Sequence, residues 1–284
     1  MNKLILKSIV IIMLLPMSLM AQTKQSELVK NLGKNAAVGK YINTRGIKMY
    51  YEIYGKGEPL LLIHGNGGSI KSFKDQIDFF AKKYKVIGVD SRAQGKSVDT
   101  SSILNYEMMA DDLNAVLDSL KIDSANVIGW SDGGINGLLL AIRHPQKVKK
   151  LVATGANLVP DTSVFSTYCN NMNASDLKRY RSAKQDANTR NSIKLVQMML
   201  DEPNIPLTDL HKIKCPVLVV GGDNDLIKAS HTLQIFENIP QAYLWILPFT
   251  GHATLQRDKV GFNNKVFQFF KTPFHTVPGD DWDK

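Results

Sequence analysis

The chain has 284 residues, of which 44% are hydrophobic and 21% are charged, a composition that excludes intrinsic disorder and supplies enough apolar residues for a folded core. Its formal charge of +9 would suit a nucleic-acid partner, but the basic residues are spread out and lack the interleaved aromatic side chains that stack on bases. The two cysteines, Cys169 and Cys215, are too few for a disulfide-stabilised scaffold.

The N-terminus has the pattern of a secretory signal peptide. Two early lysines precede an apolar stretch over residues 8–21, which is shorter than the roughly 20 apolar residues that span a bilayer. Ala21 suits cleavage before Gln22, because small residues precede the cut. We therefore predict a signal peptide over residues 1–21, a periplasmic or secreted protein, and no stable membrane insertion after cleavage. An uncleaved membrane anchor is the alternative.

The remaining chain opens with a polar stretch and then a predicted hairpin. Residues 22–40 lack apolar periodicity and predict a leader, so the folded domain is expected over residues 41–284. Strand-like runs at 41–43 and 47–54 flank Gly46, and a glycine in this position is typical of a tight turn. We predict an antiparallel hairpin at the edge of a sheet.

Strands and helices then alternate along the chain. Buried strands are predicted at residues 59–63, 84–89, 125–129, 148–154, 216–220 and 243–247, and helices at 70–82, 106–120, 134–143 and 260–270. This alternation predicts an α/β fold with a mostly parallel central sheet flanked by helices. One irregular interval, about residues 157–211, contains predicted helices at 175–184 and 191–200 and indicates a small helical cap inserted late in the chain.

A strand, a turn and a helix in mid-chain have the pattern of a nucleophile elbow. The strand at 125–129 leads into Gly-x-Ser-x-Gly at residues 129–133 and then into a helix. The flanking glycines let the strand and the helix approach closely while the serine occupies a strained turn. We therefore predict that Ser131 is a nucleophile at the carboxyl edge of the sheet. The Asp132 N–H, at the positive end of the helix dipole, is a predicted oxyanion donor.

A second oxyanion donor is expected from a glycine-rich loop earlier in the chain. His-Gly-Asn-Gly-Gly at residues 64–68 follows the predicted strand at 59–63, which is where such a donor lies relative to an elbow. The glycines let backbone amides turn toward a developing oxyanion, and we assign the Asn66 N–H to this role. His64, directly after the strand, is expected to shape the loop through hydrogen bonds rather than to act as a base.

One late histidine is placed to act as the base. The partners of an elbow serine follow in the chain order Ser, Asp or Glu, then His. His252 follows the strand at 243–247 in Phe-Thr-Gly-His, whereas His231 lies in a helical stretch and His275 in the tail. His252 is therefore expected to take the Ser131 proton and return it to the leaving group.

The orienting acid is expected on the turn after the strand at 216–220. Gly-Gly-Asp-Asn-Asp at residues 221–225 offers two carboxylates there. The first aspartate of such a turn more often closes the glycine-rich bend, whereas the second can reach the histidine Nδ1. We predict Asp225, with Asp223 as the alternative and Asp161 as a weaker one.

A further turn completes a resemblance. Asp-Ser-Arg-Ala-Gln-Gly-Lys-Ser at residues 90–97 follows the strand at 84–89. With His-Gly-x-Gly-Gly, the elbow, Gly-x-x-Asp and the late Gly-His, it resembles the α/β-hydrolase family over essentially the whole chain after residue 21. That family usually has Asp-x-Arg-Gly-x-Gly in this turn, so Ala93 departs at one glycine. The resemblance implies an α/β-hydrolase fold, and we expect Asp90 and Arg92 to brace the pocket wall.

A more local resemblance bears on the substrate. The runs Gly-Trp-Ser-Asp-Gly-Gly at 129–134 and Ala-Thr-Gly-Ala-Asn at 153–157 are similar to the valacyclovir hydrolase, or biphenyl hydrolase-like, group, which implies activated ester substrates. Trp130 and Asp132 are the expected substrate-contacting residues, and the Asp132 carboxylate would suit an α-amino cation. The alternative is that Asp132 is simply a favourable first-turn residue. Basic residues in the cap interval point instead to anionic substrates unless they face outward.

The combined expectation is a serine hydrolase that cleaves small esters through an acyl-enzyme on Ser131. The same triad also serves C–C bond hydrolysis, thioester cleavage, acyl transfer and perhydrolysis, and a non-catalytic binding protein on this scaffold is a second class. The expected partner is a small molecule rather than a nucleic acid. The histidines are scattered and predict no metal site, and no cofactor is implied.

Overall fold

Eight strands form a single sheet in the computed structural model, which describes residues 31–276 apart from the side chain of Asn170. The strands are β1 (Gly39–Thr44), β2 (Ile47–Tyr54), β3 (Glu58–Ile63), β4 (Tyr84–Val89), β5 (Ala125–Trp130), β6 (Val148–Thr154), β7 (Val217–Gly222) and β8 (Ala242–Leu247). Their spatial order is β1-β2-β4-β3-β5-β6-β7-β8. Only β2 pairs antiparallel, with β1 and β4. The prediction of a mostly parallel sheet is confirmed.

Helices cover both faces of the sheet. They are α1 (Lys74–Phe80), α2 (Tyr106–Ser119), α3 (Asp132–Arg143), α4 (Thr167–Ser182), α5 (Ala187–Asp201), α6 (Leu207–Leu210), α7 (Ala229–Glu237), α8 (Thr254–Arg257) and α9 (Lys259–Lys271). The predicted helix at 70–82 is a 3-10 turn, Ile70–Phe73, followed by α1. Among residues 31–276, no helix combines the length and apolar character needed to cross a membrane.

Strand β3 shows how one strand serves two cores. Leu61 and Ile63 belong to the apolar cluster that also contains residues of α2 and α3. Leu60 and Leu62 point into the opposite cluster, which contains residues of α1 and α9. Successive side chains of a strand alternate between faces, so a continuous apolar run is buried on both sides. The carboxyl end of β3 is thereby fixed beside that of β5, with which it pairs in parallel.

The edge hairpin is present with its predicted turn. Arg45 and Gly46 both have positive φ, 46° and 82°, and they join Thr44 to Ile47, which are directly paired across β1 and β2. Two consecutive residues at positive φ give the turn whose twist matches that of the flanking strands.

Residues 31–40 pack on the domain, so the prediction of a leader is wrong for this part of the chain. Leu32 is buried, and the backbone N–H groups of Gly33 and Asn35 donate to the Glu52 carboxylate at 2.9 Å each. Glu52 is fully buried, so its carboxylate needs these hydrogen-bond donors. The polar character of residues 31–40 does not reveal this contact. Strand β1 also begins at Gly39, two residues before its predicted start. The predicted signal peptide lies outside the described residues.

Two long helices, α4 and α5, occupy the interval between β6 and β7. Both begin earlier than predicted, by eight residues for α4 and four for α5. The Ser166 side chain accepts from the Cys169 N–H and the Asp186 side chain from the Thr189 N–H. These N-caps satisfy backbone donors that would otherwise lack partners, so each helix starts at its cap rather than at its first apolar residue.

Candidate active site

Ser131 lies at the sharp turn between β5 and α3. Its φ of 58° and ψ of −122° fall in a region that is strained for a non-glycine residue, at about 1–3 kcal/mol. A Cβ on Gly129 would overlap the Gly133 carbonyl, and one on Gly133 would overlap the Ile63 carbonyl. The two flanking glycines are therefore required by close backbone approach. The elbow has the backbone conformation that its sequence predicts.

The structure brings Ser131, His252 and Asp225 together in one hydrogen-bonded chain. The Ser131 hydroxyl donates to His252 Nε2 at 2.8 Å, and His252 Nδ1–H donates to Asp225 Oδ1 at 2.6 Å. This arrangement lets the imidazole accept the serine proton at one nitrogen while the carboxylate holds the other. A histidine and a carboxylate in this arrangement can activate the serine hydroxyl for nucleophilic attack.

The turn after β7 separates the two candidate acids. Asp223 accepts from the backbone N–H groups of Phe249 and Thr250, both at 2.9 Å, and so closes the bend next to the His252 loop. Asp225 instead reaches His252. Burial would raise the Asp225 pKa, but the bond and charge of His252, with N–H donors of Gly222 and Ile227, lower that pKa overall. Asp225 is thereby kept ionised beside the imidazole.

Asn66 and Asp132 lie on the wall of the cavity that contains Ser131. Asp132 is the first residue of α3, where a backbone N–H has no partner within the helix. Gly65 approaches Ser131 so closely that a Cβ there would lie 2.9 Å from the serine Cβ. The loop that carries Asn66 is thus held against the nucleophile, which is the placement expected of an oxyanion donor.

His64 holds that loop in place. Its Nδ1–H donates to the Gly65 carbonyl at 2.8 Å, and its Nε2 accepts from the Ser91 N–H at 3.0 Å. Burial lowers the pKa of His64 to about 4, against a smaller opposing effect of the Gly65 carbonyl. The ring is therefore neutral near pH 7 and connects the glycine-rich loop to the turn after β4.

Asp90 and Arg92 brace that turn without lining the cavity. Asp90 accepts from the N–H groups of Ile70 and Lys96 at 2.9 and 2.8 Å, while Arg92 grips Asp112 of α2 with bonds of 2.6 and 2.8 Å. Ala93, at the position where glycine is usual, adopts a φ of 64°. The alanine therefore keeps the left-handed backbone that the turn requires.

A cavity of about 320 Å³ lies above Ser131, between the strand ends and the helices α4 and α5. Trp130 lines it and also donates from Nε1 to the His252 carbonyl at 2.8 Å. This indole thus positions the histidine loop, a role that sequence reasoning missed. No group of three or more His, Cys, Asp or Glu side chains within residues 31–276 is arranged to hold a metal ion.

The Asp132 carboxylate faces the same cavity. It is 4% exposed and accepts from Asn66 Nδ2 at 2.8 Å and from the Tyr106 hydroxyl. Burial raises the pKa of Asp132 to about 6, partly offset by these two donors and by His252. Within the described part of the chain, no lysine or arginine forms an ion pair with it.

The basic residues of α4, α5 and their connection face away from the cavity. Lys178, Arg179, Arg181, Lys184 and Arg190 are exposed. Lys194 is half-buried, but it pairs with Asp99 at 3.6 Å. None of these six residues lines the cavity. The objection that the cap should favour anionic substrates therefore loses its structural basis.

Tyr106 and Glu202 are among the residues of the cavity wall that sequence reasoning missed. Tyr106 fits the pattern of a buried first residue of a helix, and Glu202 simply follows α5. Only the fold brings them together, where the Tyr106 N–H donates to Glu202 Oε2 at 3.1 Å. The available signal was that a buried tyrosine hydroxyl needs a hydrogen-bond partner.

The chain is similar to known hydrolases. The chain is 27% identical over 254 residues to RutD of Caulobacter sp. (strain K31), a protein to which carbamate hydrolysis is assigned; the match covers 78% of this chain and 95% of that one. It is 26% identical over 266 residues to the serine hydrolase BPHL of Mus musculus, covering 87% and 91% of the two chains.

Solved structures show the same fold. The esterase EaEST from Exiguobacterium antarcticum superposes with a TM-score of 0.72 at 23% identity, covering 82% of this chain and all of that one. The sequence profile of the alpha/beta hydrolase fold family matches residues 58–203, just over half of the chain. The protein is therefore a hydrolase, and it belongs to the alpha/beta hydrolase fold family.

Proposed function

We propose that this protein hydrolyses small carboxylic esters through an acyl-enzyme on Ser131. The observation that carries the proposal is the hydrogen-bonded chain from Ser131 through His252 to Asp225, with bonds of 2.8 and 2.6 Å, at the floor of a small cavity. The proposal assigns Ser131 as nucleophile, His252 as base and Asp225 as the acid that orients it.

The reaction has two halves. Ser131 Oγ attacks the ester carbonyl as its proton passes to His252 Nε2, and the oxyanion is received by the N–H groups of Asn66 and Asp132. The carbonyl re-forms, the C–O bond to the leaving group breaks, and His252 gives the proton to the departing alkoxide. Water then attacks the acyl-enzyme by the same route and releases the acid and free Ser131.

We propose further that the enzyme prefers esters that carry a free α-amino group on the acyl side. Asp132 supports this because its carboxylate is adjacent to the nucleophile, faces the cavity and accepts side-chain hydrogen bonds from neutral groups, Asn66 and Tyr106. A buried carboxylate without a cationic partner is unfavourable, and a substrate ammonium would provide that partner. Trp130, on the same wall, is the proposed apolar contact.

The first experiment separates an enzyme from a binding protein. Wild-type protein should be labelled stoichiometrically by a fluorophosphonate, and Ser131→Ala should not be labelled. The labelled and free enzymes should then be assayed against a panel of esters, amides, thioesters and carbamates. Absence of labelling, or equal labelling of Ser131→Ala, would contradict the acyl-enzyme.

The second experiment tests amine recognition. An amino-acid ester is compared with its N-acetylated counterpart in wild type and in Asp132→Ala. We expect kcat/KM to fall more for the free amine than for the acetylated ester. An equal fall for both would eliminate the role of Asp132 in binding an amine.

Export is a separate proposal that depends on residues 1–21 alone. The short apolar stretch after two lysines and the small residue Ala21 support cleavage before Gln22. N-terminal sequencing of the protein recovered from the periplasm or medium should begin at Gln22. A protein that keeps Met1 and remains with the membrane fraction would indicate an uncleaved anchor.

A further inference from the structure

The two residues that supply the proposed oxyanion donors are also joined to each other through their side chains. Asn66 Nδ2 donates to Asp132 Oδ2 at 2.8 Å. The proposed mechanism uses the backbone N–H groups of these same two residues, one on the loop after β3 and one at the start of α3. An oxyanion donor acts over a narrow range of positions, so this side-chain bond bears on the spacing of the two N–H groups.

Asn66 lies at the tip of a tight turn. The Gly68 N–H closes this turn, and Gly67 has a φ of 65°, as such a turn requires. A Cβ on Gly67 would lie in open space, so that side of the tip is unsupported. The Asn66 side chain instead donates to Asp132 and, at 3.4 Å, to the Leu195 carbonyl of α5. These two bonds hold the tip of the loop in place.

Tyr106 restrains the Asp132 carboxylate from the side of α2. Its hydroxyl is a second side-chain donor to that carboxylate. Tyr106 and Asp132 are 1% and 4% exposed, so the bond is shielded from water and strengthened by the low local dielectric. Burial raises the pKa of Tyr106, and the charge of Asp132 raises it further, which keeps the hydroxyl protonated as a donor. The carboxylate is thus held between α2 and the loop of Asn66.

We propose that Tyr106 is a positioning residue for the oxyanion donors, acting through the Asp132 carboxylate on the side chain of Asn66. This inference rests on the proposed ester hydrolysis at Ser131. Tyr106 restrains Asp132, and Asp132 restrains Asn66, so the two N–H groups keep one spacing. This effect applies to every ester, charged or uncharged, and it therefore differs from recognition of an α-amino group.

The first test uses p-nitrophenyl butyrate, an ester without charge. Tyr106→Phe removes only the donor to Asp132, whereas Asn66→Ala removes the side chain at the tip of the loop and keeps its backbone N–H. Each variant should lower kcat about tenfold and change KM by less than about twofold, because a displaced donor weakens the transition state more than the bound substrate. A trifluoromethyl ketone, which forms a tetrahedral adduct with Ser131, should lose affinity by a similar factor.

The double variant Tyr106→Phe, Asn66→Ala tests the route of the effect. If Tyr106 acts through the side chain of Asn66, the double variant should be no slower than Asn66→Ala alone, since residues that act as one unit are not additive. Losses that multiply, to about 100-fold together, would show that the two residues act independently. That result would overturn the inference.

Tyr54→Phe is the matched control for a purely structural loss. Tyr54 is 2% exposed, and its hydroxyl donates to the buried carboxylate of Glu52 at 2.8 Å, but it does not line the cavity. This variant should lower Tm much as Tyr106→Phe does, because each loses one buried hydrogen bond to a carboxylate. Its kcat should change by less than about twofold. Equal losses of kcat in the two tyrosine variants would contradict a positioning role.

The outcomes separate this inference from the proposed function. If wild type and Tyr106→Phe hydrolyse the butyrate ester at the same rate, the positioning role fails and the proposed ester hydrolysis stands. A loss in Tyr106→Phe that is confined to KM would also overturn the inference, because Tyr106 would then bind the substrate. If wild type hydrolyses no ester, both fail.

Discussion

Asp223 and Asp225 are two residues apart on one turn, yet they contact different partners. Asp223 fixes the backbone of Phe249 and Thr250, and Asp225 fixes the imidazole of His252. The sequence favours the second aspartate for reaching a histidine and the first for closing the bend, and the structure has both contacts. The pattern alone left Asp223 open as the alternative partner of the imidazole.

We predict that the two isosteric variants lose different properties, activity in one and stability in the other. Asp225→Asn should lower kcat on the order of 10⁴-fold, because the amide favours the wrong imidazole tautomer, with little change in Tm. Asp223→Asn should lower the free energy of unfolding by about 1–3 kcal/mol, because two backbone donors lose a charged acceptor, with a smaller loss of kcat. Ester assays and thermal melts measure both. A greater loss of kcat in Asp223→Asn would exchange the two assignments.

Asp132 allows a stability test that separates its two interpretations. Its pKa in the folded protein, about 6, lies above the ordinary value of 3.8. Between these values the folded state binds more protons than the unfolded chain, so stability falls as pH rises from about 4 to 6. The fall amounts to about 3 kcal/mol when the carboxylate is ionised.

Asp132→Asn should therefore stabilise the protein at pH 7.5, by about 1 kcal/mol or more after loss of the favourable dipole interaction. At pH 4.5 it should have little effect. Urea unfolding at the two pH values measures this difference. If the variant is destabilised equally at the two pH values, Asp132 acts as a favourable first-turn residue of α3. Its ionised carboxylate would then not lower the stability of the fold.

At the scale of elements, the elbow depends on three backbones that meet. Strand β5 and helix α3 approach each other at Gly129 and Gly133, and Gly133 also touches the end of β3 at Ile63. The flanking glycines were predictable from their pattern. The contact with β3 was not, because it depends on the order in which strands pair in the sheet.

We predict that Gly133→Ala lowers the free energy of unfolding by about 3 kcal/mol or more, since backbone atoms cannot move aside for the new methyl group. Gly251→Ala is the matched control. A Cβ there meets only the Asn224 carbonyl at 3.5 Å, an ordinary contact, so its cost should stay below about 1 kcal/mol. Equal losses in denaturant titrations would contradict the close approach at the elbow.

Helices α4 and α5 show where local reasoning stops short. Apolar periodicity located their central turns but not their starts, which are set by the polar caps Ser166 and Asp186. The segment 31–38 shows the reverse error, because its polarity hides a buried contact with Glu52. In both cases hydrogen bonds to a single side chain fix the backbone conformation, and the average hydrophobicity of the neighbouring residues does not predict them.

For the whole molecule, the position of charge matters more than its sum. The chain carries a net charge of +9, but within the described residues the basic side chains of α4 and α5 are exposed or paired, while the cavity wall includes three carboxylates and no lysine or arginine. Exposed charges separated from a site by solvent are screened at physiological salt. The net charge therefore describes the surface and not the substrate.

The double variant Lys178→Gln, Lys184→Gln removes two positive charges from the cap surface. It should change kcat/KM by less than about twofold for an α-amino ester and for a succinyl monoester, because neither side chain lines the cavity. Assays at low and moderate salt measure this. A loss of tenfold or more confined to the succinyl ester would show that the cap surface recruits anionic substrates.

The sequence by itself determined the sheet-and-helix alternation, the elbow at Ser131, the loop of Asn66, and the order of acid and histidine, because these depend on local periodicity and on glycines at strand ends. Only the tertiary structure decided that Asp225 meets His252 and that Trp130 holds the histidine loop. It alone brought Tyr106 and Glu202 to the wall of the cavity that Asp132 also lines. Those contacts join residues far apart in the chain, and their distances depend on how strands and helices pack, which no local pattern records.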